Sequence, residues 1–407
     1  MIATSLSRRQ ALLGLSATAA LPGFTAAAAQ QTNAARVPTI AQPLNERSLA
    51  IVSPDRLAEQ SRRVLPAGAW EYIHGAAGSE WTMRANRSAL DSLAFRPHRL
   101  AGFAQADTRS TLLGVHVGAP LYVCPMGAQD FAHVDAELAS VRAAGVAGVP
   151  YMLTSASNRS LEEVARVAPP SLLRMFAIYL NTDPAVNRAL AARARAAGYR
   201  ALVMTVDSLG PGNSDDYVAM GSPRTAASGF GNFDPARGGV GSFLNLKRDF
   251  TPADIDLLRQ TSGLPVVVKG ILRADDAERA IVAGAAGVVV SNHGGRTLDG
   301  AMPAIDALPD VVRAVRGRVP VLFDSGVRRG ADIVRALALG ATAVGIGRPA
   351  LDALALGGAR GATDLLEWFQ ADLATQMLQV GARRIGDLNP DLIVRAAYEG
   401  ISNGASS

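Results

Sequence analysis

The segment Ser291–Arg296, which reads Ser-Asn-His-Gly-Gly-Arg, holds the side chains best suited to catalysis. A neutral imidazole has a reference pKa of about 6.5 and can accept a proton near physiological pH. A guanidinium three residues later can bind both oxygens of a carboxylate, and the glycines between them let the backbone lie close to a bound ring. His293 and Arg296 therefore predict proton transfer beside an anion-binding group. The alternative is a polar turn that caps the next helix.

Two further charged residues, Lys269 and Asp207, each end an apolar segment. Lys269 is one of only two lysines in the chain, and its ammonium group can stabilise negative charge on a reduced cofactor. The alternative is a lysine that extends to the surface. The carboxylate of Asp207 can orient His293 or cap a helix or turn, and the residues alone leave that choice open.

Two loops combine glycine with arginine. One reads Asp324-Ser325-Gly326-Val327-Arg328, and the other reads Gly345-Ile346-Gly347-Arg348-Pro349. The backbone N–H groups of such loops, together with a helix N-terminus, commonly bind phosphate. Taken alone, the second loop is also compatible with a simple helix cap. The two loops in this order predict a phosphate site.

These segments need a fold that brings them together. Beyond residue 118, eight short apolar stretches alternate with helical ones, which predicts an α/β protein of the (β/α)8 or TIM barrel type. The stretches are LYVCP, PYMLT, LLRMFAIY, ALVMTV, PVVVKG, AGVVVSN, PVLFDSG and TAVGIG. The active site of such a barrel lies at the C-terminal ends of the strands, where all the charged residues above occur.

Two elements are expected outside the repeating pattern. The apolar spacing from Pro54 to Leu93 predicts an N-terminal helical cap, in which Pro66 separates two helices. The segment Ser208–Asp249, after the fourth strand, is long, glycine-rich and without apolar periodicity. A loop of that length in a compact domain is usually functional, disordered or both, so we interpret it as an active-site lid.

The first 29 residues resemble a twin-arginine export signal, because Arg8-Arg9 precedes an apolar stretch that ends in small residues. A short membrane anchor is the alternative, but Pro22 and Gly23 interrupt the stretch. We expect an exported, periplasmic protein with no membrane span after cleavage. The expected divisions are the signal at 1–29, a linker at 30–44 and the barrel with its cap at 45–400. Cleavage lowers the formal charge from +5 to about +3. A net charge this small does not indicate nucleic acid as a partner.

Cys124 is the only cysteine in the sequence. It excludes an intrachain disulfide and a thiol-rich metal site, and we expect no metal. It also argues against a purine-nucleotide dehydrogenase of the barrel class, which needs a nucleophilic cysteine in a catalytic loop, because Cys124 lies within the first strand motif. A flavin-dependent isomerase is a second alternative enzyme, but it would not need His293 and Arg296, so the presence of this pair argues against it.

Together these motifs resemble the FMN-dependent 2-hydroxy acid oxidases and dehydrogenases, a family that includes glycolate oxidase, lactate oxidase and mandelate dehydrogenase. The likeness extends from Asp55 to Val394 and is most specific in SNHGGRTLDG, with VVVKG, DSGVRRGADIVRALALGA and VGIGRP in the family's order. The resemblance implies FMN as cofactor and oxidation of a small-molecule 2-hydroxy acid to its 2-keto product, with a hydride equivalent passing to flavin N5. It implies a homotetramer and leaves the electron acceptor open among oxygen, a quinone and a cytochrome.

By position, the resemblance implies His293 as catalytic base, Asp207 as its partner and Lys269 beside the flavin N1 and O2. It implies Arg296, Tyr72 and Tyr179 as substrate ligands. The residues that it implies for cofactor binding, besides Lys269, are Pro125, Met126, Gly127, Thr154, Thr205, Ser291, Asp324, Gly326, Arg328, Gly347 and Arg348.

Four positions depart from the family pattern. Ser214 stands at the position of a second substrate arginine, Ala177 replaces a glutamine at the pyrimidine edge of the flavin, Ala156 replaces a bulky aromatic of several members, and Ser325 replaces a glycine. Loss of one charge-assisted contact can remove about 1.5 to 3 kcal/mol of carboxylate binding.

This loss leaves several interpretations open. Either Arg224 or Arg237 in the lid compensates for Ser214, or the substrate is larger, or its acid group lies elsewhere or is lacking. A catalytically altered flavoprotein that serves as a binding or electron-transfer module is the alternative function.

Overall fold

The computed structural model describes residues 46–210, 212, 214–225 and 229–396. Eight parallel strands in these residues form a closed barrel, and each predicted apolar stretch contains one of them, apart from one residue at the C-terminal end of the fifth. We number them β1 to β8: Leu121–Val123, Tyr151–Thr154, Arg174–Ile178, Ala201–Thr205, Val266–Ile271, Gly287–Val290, Val321–Phe323 and Ala343–Ile346. The barrel closes where β8 pairs with β1, with Ile346 opposite Val123. The predicted (β/α)8 barrel is thereby confirmed.

Alternation of side chains along the strands produces two layers of core. One layer fills the interior of the barrel with residues that include Tyr122, Met152, Met175, Val203, Val267, Val289 and Leu322. The other layer joins the strands to the surrounding helices through residues that include Leu121, Val123, Phe176, Ile178, Leu202, Val268 and Phe323. Since both faces of every strand are buried, the strands are almost continuously apolar in sequence.

A short hairpin closes the barrel interior and escapes the sequence analysis. Its strands, Ser110–Leu112 and Val115–Val117, pair in antiparallel fashion around Leu113 and Gly114, whose φ angles are 48° and 77°. Leu112 is buried in the interior cluster beside Leu173, which precedes β3. The hairpin therefore covers the N-terminal end of the barrel and leaves the C-terminal end for ligands.

The N-terminal cap contains three helices rather than the two expected. They are Pro54–Val64, Ala67–His74 and Trp81–Asp91. Pro66 separates the first two, as predicted, and the third begins after the turn at Gly78. The outer helices are Glu137–Ala147, Leu161–Val167, Pro184–Ala196, Pro252–Ser262, Ala274–Val282, Ala304–Val315, Gly330–Ala338 and Arg348–Val380. In the described residues no helix combines the length and apolar character needed to cross a bilayer.

The long segment after β4 is partly ordered into local structure. It contains the helix Asp215–Ala219 and a 3-10 turn at Pro235–Arg237. Its last part runs beside the end of β3, where Leu246 bridges Asn181 and the N–H of Lys247 donates to the carbonyl of Leu180. This pairing holds the segment over the C-terminal end of the barrel. The expected signal at 1–29 and linker at 30–44 lie outside the described residues.

Candidate active site

His293 lies three residues beyond the end of β6 and has a φ of 58°, a value uncommon for residues other than glycine. Its Nδ1 is 2.9 Å from Oδ1 of Asp207, which follows β4. The carboxylate accepts the Nδ1 proton, and in the neutral form of the ring Nε2 then has a lone pair that can accept a proton. The hydroxyl of Tyr179, 3.1 Å from Nε2, donates to it. The predicted base and its partner are therefore in contact.

The two groups that contact the imidazole are in different protonation states: Asp207 is ionised and Tyr179 is protonated. Burial by itself raises the pKa of the Asp207 carboxyl, but the charges of His293 and Lys269 outweigh it and hold that pKa below its ordinary value. Burial raises the pKa of the Tyr179 hydroxyl well above the usual range, so this group stays a hydrogen-bond donor. Asp207 is thus ready to stabilise an imidazolium when His293 takes a proton.

Lys269 on β5 is buried below the site and does not extend to the surface. Its Nζ donates to Oγ of Ser291 at 2.8 Å and lies 3.5 Å from Oδ2 of Asp324 and 3.9 Å from Oδ2 of Asp207. Burial lowers the pKa of the ammonium group, but the two carboxylates reverse the effect and raise it above the ordinary value. Lys269 therefore remains charged, as stabilisation of a developing anion requires.

These groups surround a cavity of about 470 Å³ at the C-terminal end of the barrel, a size typical of small-molecule sites. The predicted site residues that line it are Tyr72, Pro125, Met126, Gly127, Tyr179, Lys269, His293, Arg296, Asp324, Gly326, Arg328, Gly347 and Arg348. Thr154, Thr205 and Ser291 are buried at the ends of β2, β4 and β6, outside the residues that line the cavity.

Arg296 is positioned by the second cap helix. Its Nη1 donates to the carbonyls of Tyr72 at 2.6 Å and Gly75 at 3.0 Å, and the guanidinium lies 5.1 Å from the centre of the Tyr72 ring. Among the described residues no acceptor contacts Nε or Nη2 of this guanidinium. These N–H groups, close to His293 on the chain, can bind a carboxylate.

At one end of the cavity, Arg328 and Arg348 are cations that have no ion-pair partner among the described residues. Burial and the neighbouring Arg296 and Arg328 lower the pKa of Arg348 to about 9. The pKa of Arg328 is also lowered, mainly by burial and to a smaller extent by the charge of Arg87. Both effects would be relieved by an anion between these groups. A phosphate fits this end of the cavity.

Three further features of the cavity fit the phosphate, the ribityl chain and the ring of FMN. Gly347 begins the helix Arg348–Val380, and a Cβ built on it meets open space, which leaves the helix N-terminus accessible to a phosphate. Oδ2 of Asp324 is buried without a hydrogen-bond donor in the described part of the chain and can accept one from a ribityl hydroxyl. Gly127 must remain small, because a Cβ there would lie 2.7 Å from the carbonyl oxygen of Ala156.

Each of the four departures from the family pattern has a definite place in the structure. Ser214 is buried and caps the helix Asp215–Ala219, where its side chain accepts from the N–H of Tyr217. Ala156 lies on the cavity wall, and Ala177 is buried in the interior cluster.

The fourth departure, Ser325, joins two loops of the site. It has a φ of 93°, in the region that favours glycine, and its Oγ accepts from the N–H of Gly294 at 3.1 Å. The same hydroxyl donates to Oδ1 of Asp324 at 3.0 Å. These bonds connect the loop after β6 to the loop after β7.

Arg224 and Arg237 are not among the residues that line the active-site cavity, although the charge of Arg224 acts on Tyr72. Both line a second cavity of about 430 Å³, and Nη1 of Arg237 donates to the carbonyl of Asn158. Arg248, which the sequence analysis does not single out, lines the active-site cavity instead. The same segment contributes an apolar wall that the sequence analysis also missed. It consists of Leu209, Phe230, Phe243, Leu244 and Leu246.

Comparison with known proteins agrees with this geometry. Residues 61–395 match the family model described as FMN-dependent dehydrogenase. The chain is 40% identical over 363 residues to an L-lactate oxidase of Nostoc sp., an alignment that covers 84% of this chain and 99% of the relative. It is 36% identical over 340 residues to glycolate oxidase 3 of Arabidopsis thaliana, covering 81% and 92%. A crystal structure of mandelate oxidase superimposes with a TM-score of 0.78 at 36% identity, covering 84% and 98%.

The fold, the cavity and these matches define a flavin-dependent oxidoreductase on a TIM barrel. The chain belongs to the family of FMN-dependent 2-hydroxy acid oxidases and dehydrogenases, with FMN as its cofactor and a CH–OH group as its target.

Proposed function

We propose that the enzyme oxidises a 2-hydroxy acid whose side chain is larger than a methyl group. The observation that carries this proposal is the position of Nε2 of His293, which faces a cavity shared with Arg296 and an apolar wall. Ala156 and the five apolar residues from the segment after β4 leave room for, and favour contact with, an apolar substrate side chain.

The side chains around the cavity divide the work of the reaction. Arg296 binds the substrate carboxylate through Nε and Nη2, while the cap helix holds its Nη1. Nε2 of His293 accepts the substrate proton, and Asp207 stabilises the imidazolium that results. Lys269 supplies a buried positive charge next to this pair. FMN, which Arg328 and Arg348 would hold through its phosphate, would supply the acceptor for the two electrons of the oxidation.

Anaerobic mixing tests the proposal directly. The purified, flavin-loaded protein is mixed with lactate, 2-hydroxyhexanoate, 2-hydroxyoctanoate and mandelate, and flavin absorbance is followed in a stopped-flow instrument. We expect bleaching by at least one acid, with faster flavin reduction by the acids with larger side chains at equal, subsaturating concentrations. Faster bleaching by lactate than by all the larger acids contradicts the proposed substrate size. Absence of bleaching by all of them favours the binding or electron-transfer module.

We further propose that the protein is exported through the twin-arginine pathway, passes electrons to a respiratory-chain acceptor and forms a homotetramer. The Arg8-Arg9 pair and the apolar stretch after it support export. Expression of the full chain and of a variant with both arginines replaced by lysine tests this part. We expect periplasmic flavoprotein from the full chain and cytoplasmic retention of the variant. Cytoplasmic retention of both contradicts export.

A further inference from the structure

Arg248 differs from the other cations around the active-site cavity. Besides His293, the described residues that line this cavity include one acidic side chain, Asp324, and five cationic ones, Arg248, Lys269, Arg296, Arg328 and Arg348. Four of the basic groups donate hydrogen bonds to backbone or side-chain oxygens. Arg248 is exposed and has no hydrogen-bond acceptor or ion-pair partner among the described residues. Its guanidinium is therefore available to an anionic ligand.

Backbone pairing directs Arg248 toward the cavity. The segment runs extended past β3, with Leu246 bridged to Asn181 and the N–H of Lys247 bonded to the carbonyl of Leu180. Side chains alternate in direction along such a segment. Lys247 points away and pairs with Asp254 at 2.9 Å, while Leu246 and Arg248 both line the cavity. The direction of Arg248 is thus fixed by the contacts of its neighbours.

Arg248 and Arg296 lie at different depths of the cavity. Arg296 is half-buried beside His293 and Tyr72, whereas Arg248 is exposed at the mouth. Leu209, Leu244 and Leu246 line the cavity together with it. A ligand that reaches both cations therefore needs an acid group at its inner end, an apolar middle part and a second negative charge at its outer end.

We propose that Arg248 is a specificity-determining residue, which binds a second carboxylate at the far end of the substrate side chain. The preferred substrate is then a 2-hydroxy dicarboxylic acid. The inference rests on the proposed oxidation of a 2-hydroxy acid with a large side chain and specifies the class of that acid. The segment after β4 supplies both the apolar wall and the outer cation, while Ser214 supplies no second guanidinium to accompany Arg296.

A pair of substrates of equal chain length tests the proposal. The flavin-loaded enzyme is assayed with 2-hydroxyadipate, which has a terminal carboxylate, and with 2-hydroxyhexanoate, which ends in a methyl group. We expect the ratio of their kcat/KM values to favour the dicarboxylate by about tenfold or more, and Arg248→Gln to remove that preference. Lys247→Gln is the matched control, since Lys247 points away from the cavity, and it should keep the ratio.

Charge reversal separates recognition from a general loss of structure. Arg248→Glu should prefer 6-amino-2-hydroxyhexanoate over 2-hydroxyadipate, a change that a misfolded protein cannot produce. Reduction of the flavin by 2-hydroxyhexanoate with no advantage for the dicarboxylate overturns this inference alone. An equal loss with both acids in Arg248→Gln also overturns it, because Arg248 then acts on the carboxylate shared by the two. Absence of flavin reduction by either acid overturns the proposed function, and this inference with it.

Discussion

Nε2 of His293 lies 3.1 Å from the hydroxyl of Tyr179, which follows β3, while Nδ1 of the same ring lies 2.9 Å from the carboxylate that follows β4. The imidazole is therefore held from both sides by groups on two neighbouring strands. The hydroxyl of Tyr179 donates to the lone pair that the reaction uses, so it marks a position where a substrate hydroxyl can bind.

Replacement of His293 by alanine should leave the flavin bound and stop its reduction. The phosphate and ribityl contacts lie on other loops, whereas the proton acceptor is removed, and loss of a general base typically lowers the rate by about 10²- to 10⁴-fold or more. Stopped-flow absorbance under anaerobic conditions measures the rate. Tyr179→Phe is the matched control, because it removes the partner of Nε2 and keeps the base. Reduction of His293→Ala at the normal rate would show that the base is misassigned.

Arg328→Gln should weaken binding of FMN by about tenfold or more, because it removes a charge-assisted contact to the phosphate. Within the described residues the Arg328 side chain donates only to the carbonyl of Val327, so little else depends on it. Fluorescence titration of the apoprotein measures the affinity. Riboflavin, which lacks the phosphate, serves as control and should bind both proteins equally. Equal weakening of both ligands would place Arg328 away from the phosphate.

Ala156→Phe should narrow the range of substrates. The added ring occupies the cavity wall next to Gly127 and takes space from a large substrate side chain. We expect kcat/KM for mandelate and 2-hydroxyoctanoate to fall by about tenfold relative to that for lactate, since each well-filled methylene is worth roughly 1 kcal/mol. A proportional fall for all three acids would instead indicate damage to the flavin site.

Glu137 should make the stability of the protein depend on pH. Burial raises the pKa of its carboxyl from 4.5 to about 7, although the N–H groups of Asn158 and Arg159 donate to it. Because the folded-state pKa lies above the unfolded one, the contribution of Glu137 to stability is fully present below pH 4.5 and is lost as the pH rises through 7. The loss amounts to no more than about 3 kcal/mol.

Glu137→Gln, which carries no titrating group, is the matched comparison for this effect. Urea unfolding between pH 5 and 8 should show the difference in unfolding free energy shifting in favour of the glutamine variant as the pH rises. A constant difference across that range would mean that Glu137 titrates normally in the folded protein.

The positions of the charged site residues can be predicted from the sequence because, in a barrel, every residue that follows a strand lies at the same end. Asp207, Lys269 and His293 each follow a parallel strand, and the C-terminal ends of neighbouring strands meet at one end of the barrel. The family resemblance then supplied their roles. Their hydrogen bonds agree with those roles.

The features that the sequence does not reveal depend on contacts between distant segments. Arg248 lies in a segment without apolar periodicity, and its direction is set by pairing with Leu180 and Asn181. The hairpin at the base of the barrel has strands of three residues and turns at Leu113-Gly114, not at the Asn-Gly or Asp-Gly pairs that usually mark such turns. Local patterns of this length carry too little information to identify either feature.

The second cap helix, Ala67–His74, ends at the cavity, where carbonyl groups at its C-terminus orient Arg296 and Arg348. The carbonyl of Gly75 accepts from Nη1 of Arg296 and from Nη2 of Arg348, and the carbonyl of Ile73 accepts from Nε of Arg348. Carbonyl groups at the end of a helix are dipoles with only partial negative charge. They orient the two guanidinium groups without neutralising them, as a carboxylate would. The cations are consequently aligned before any anion arrives, and an incoming anion has no salt bridge to break.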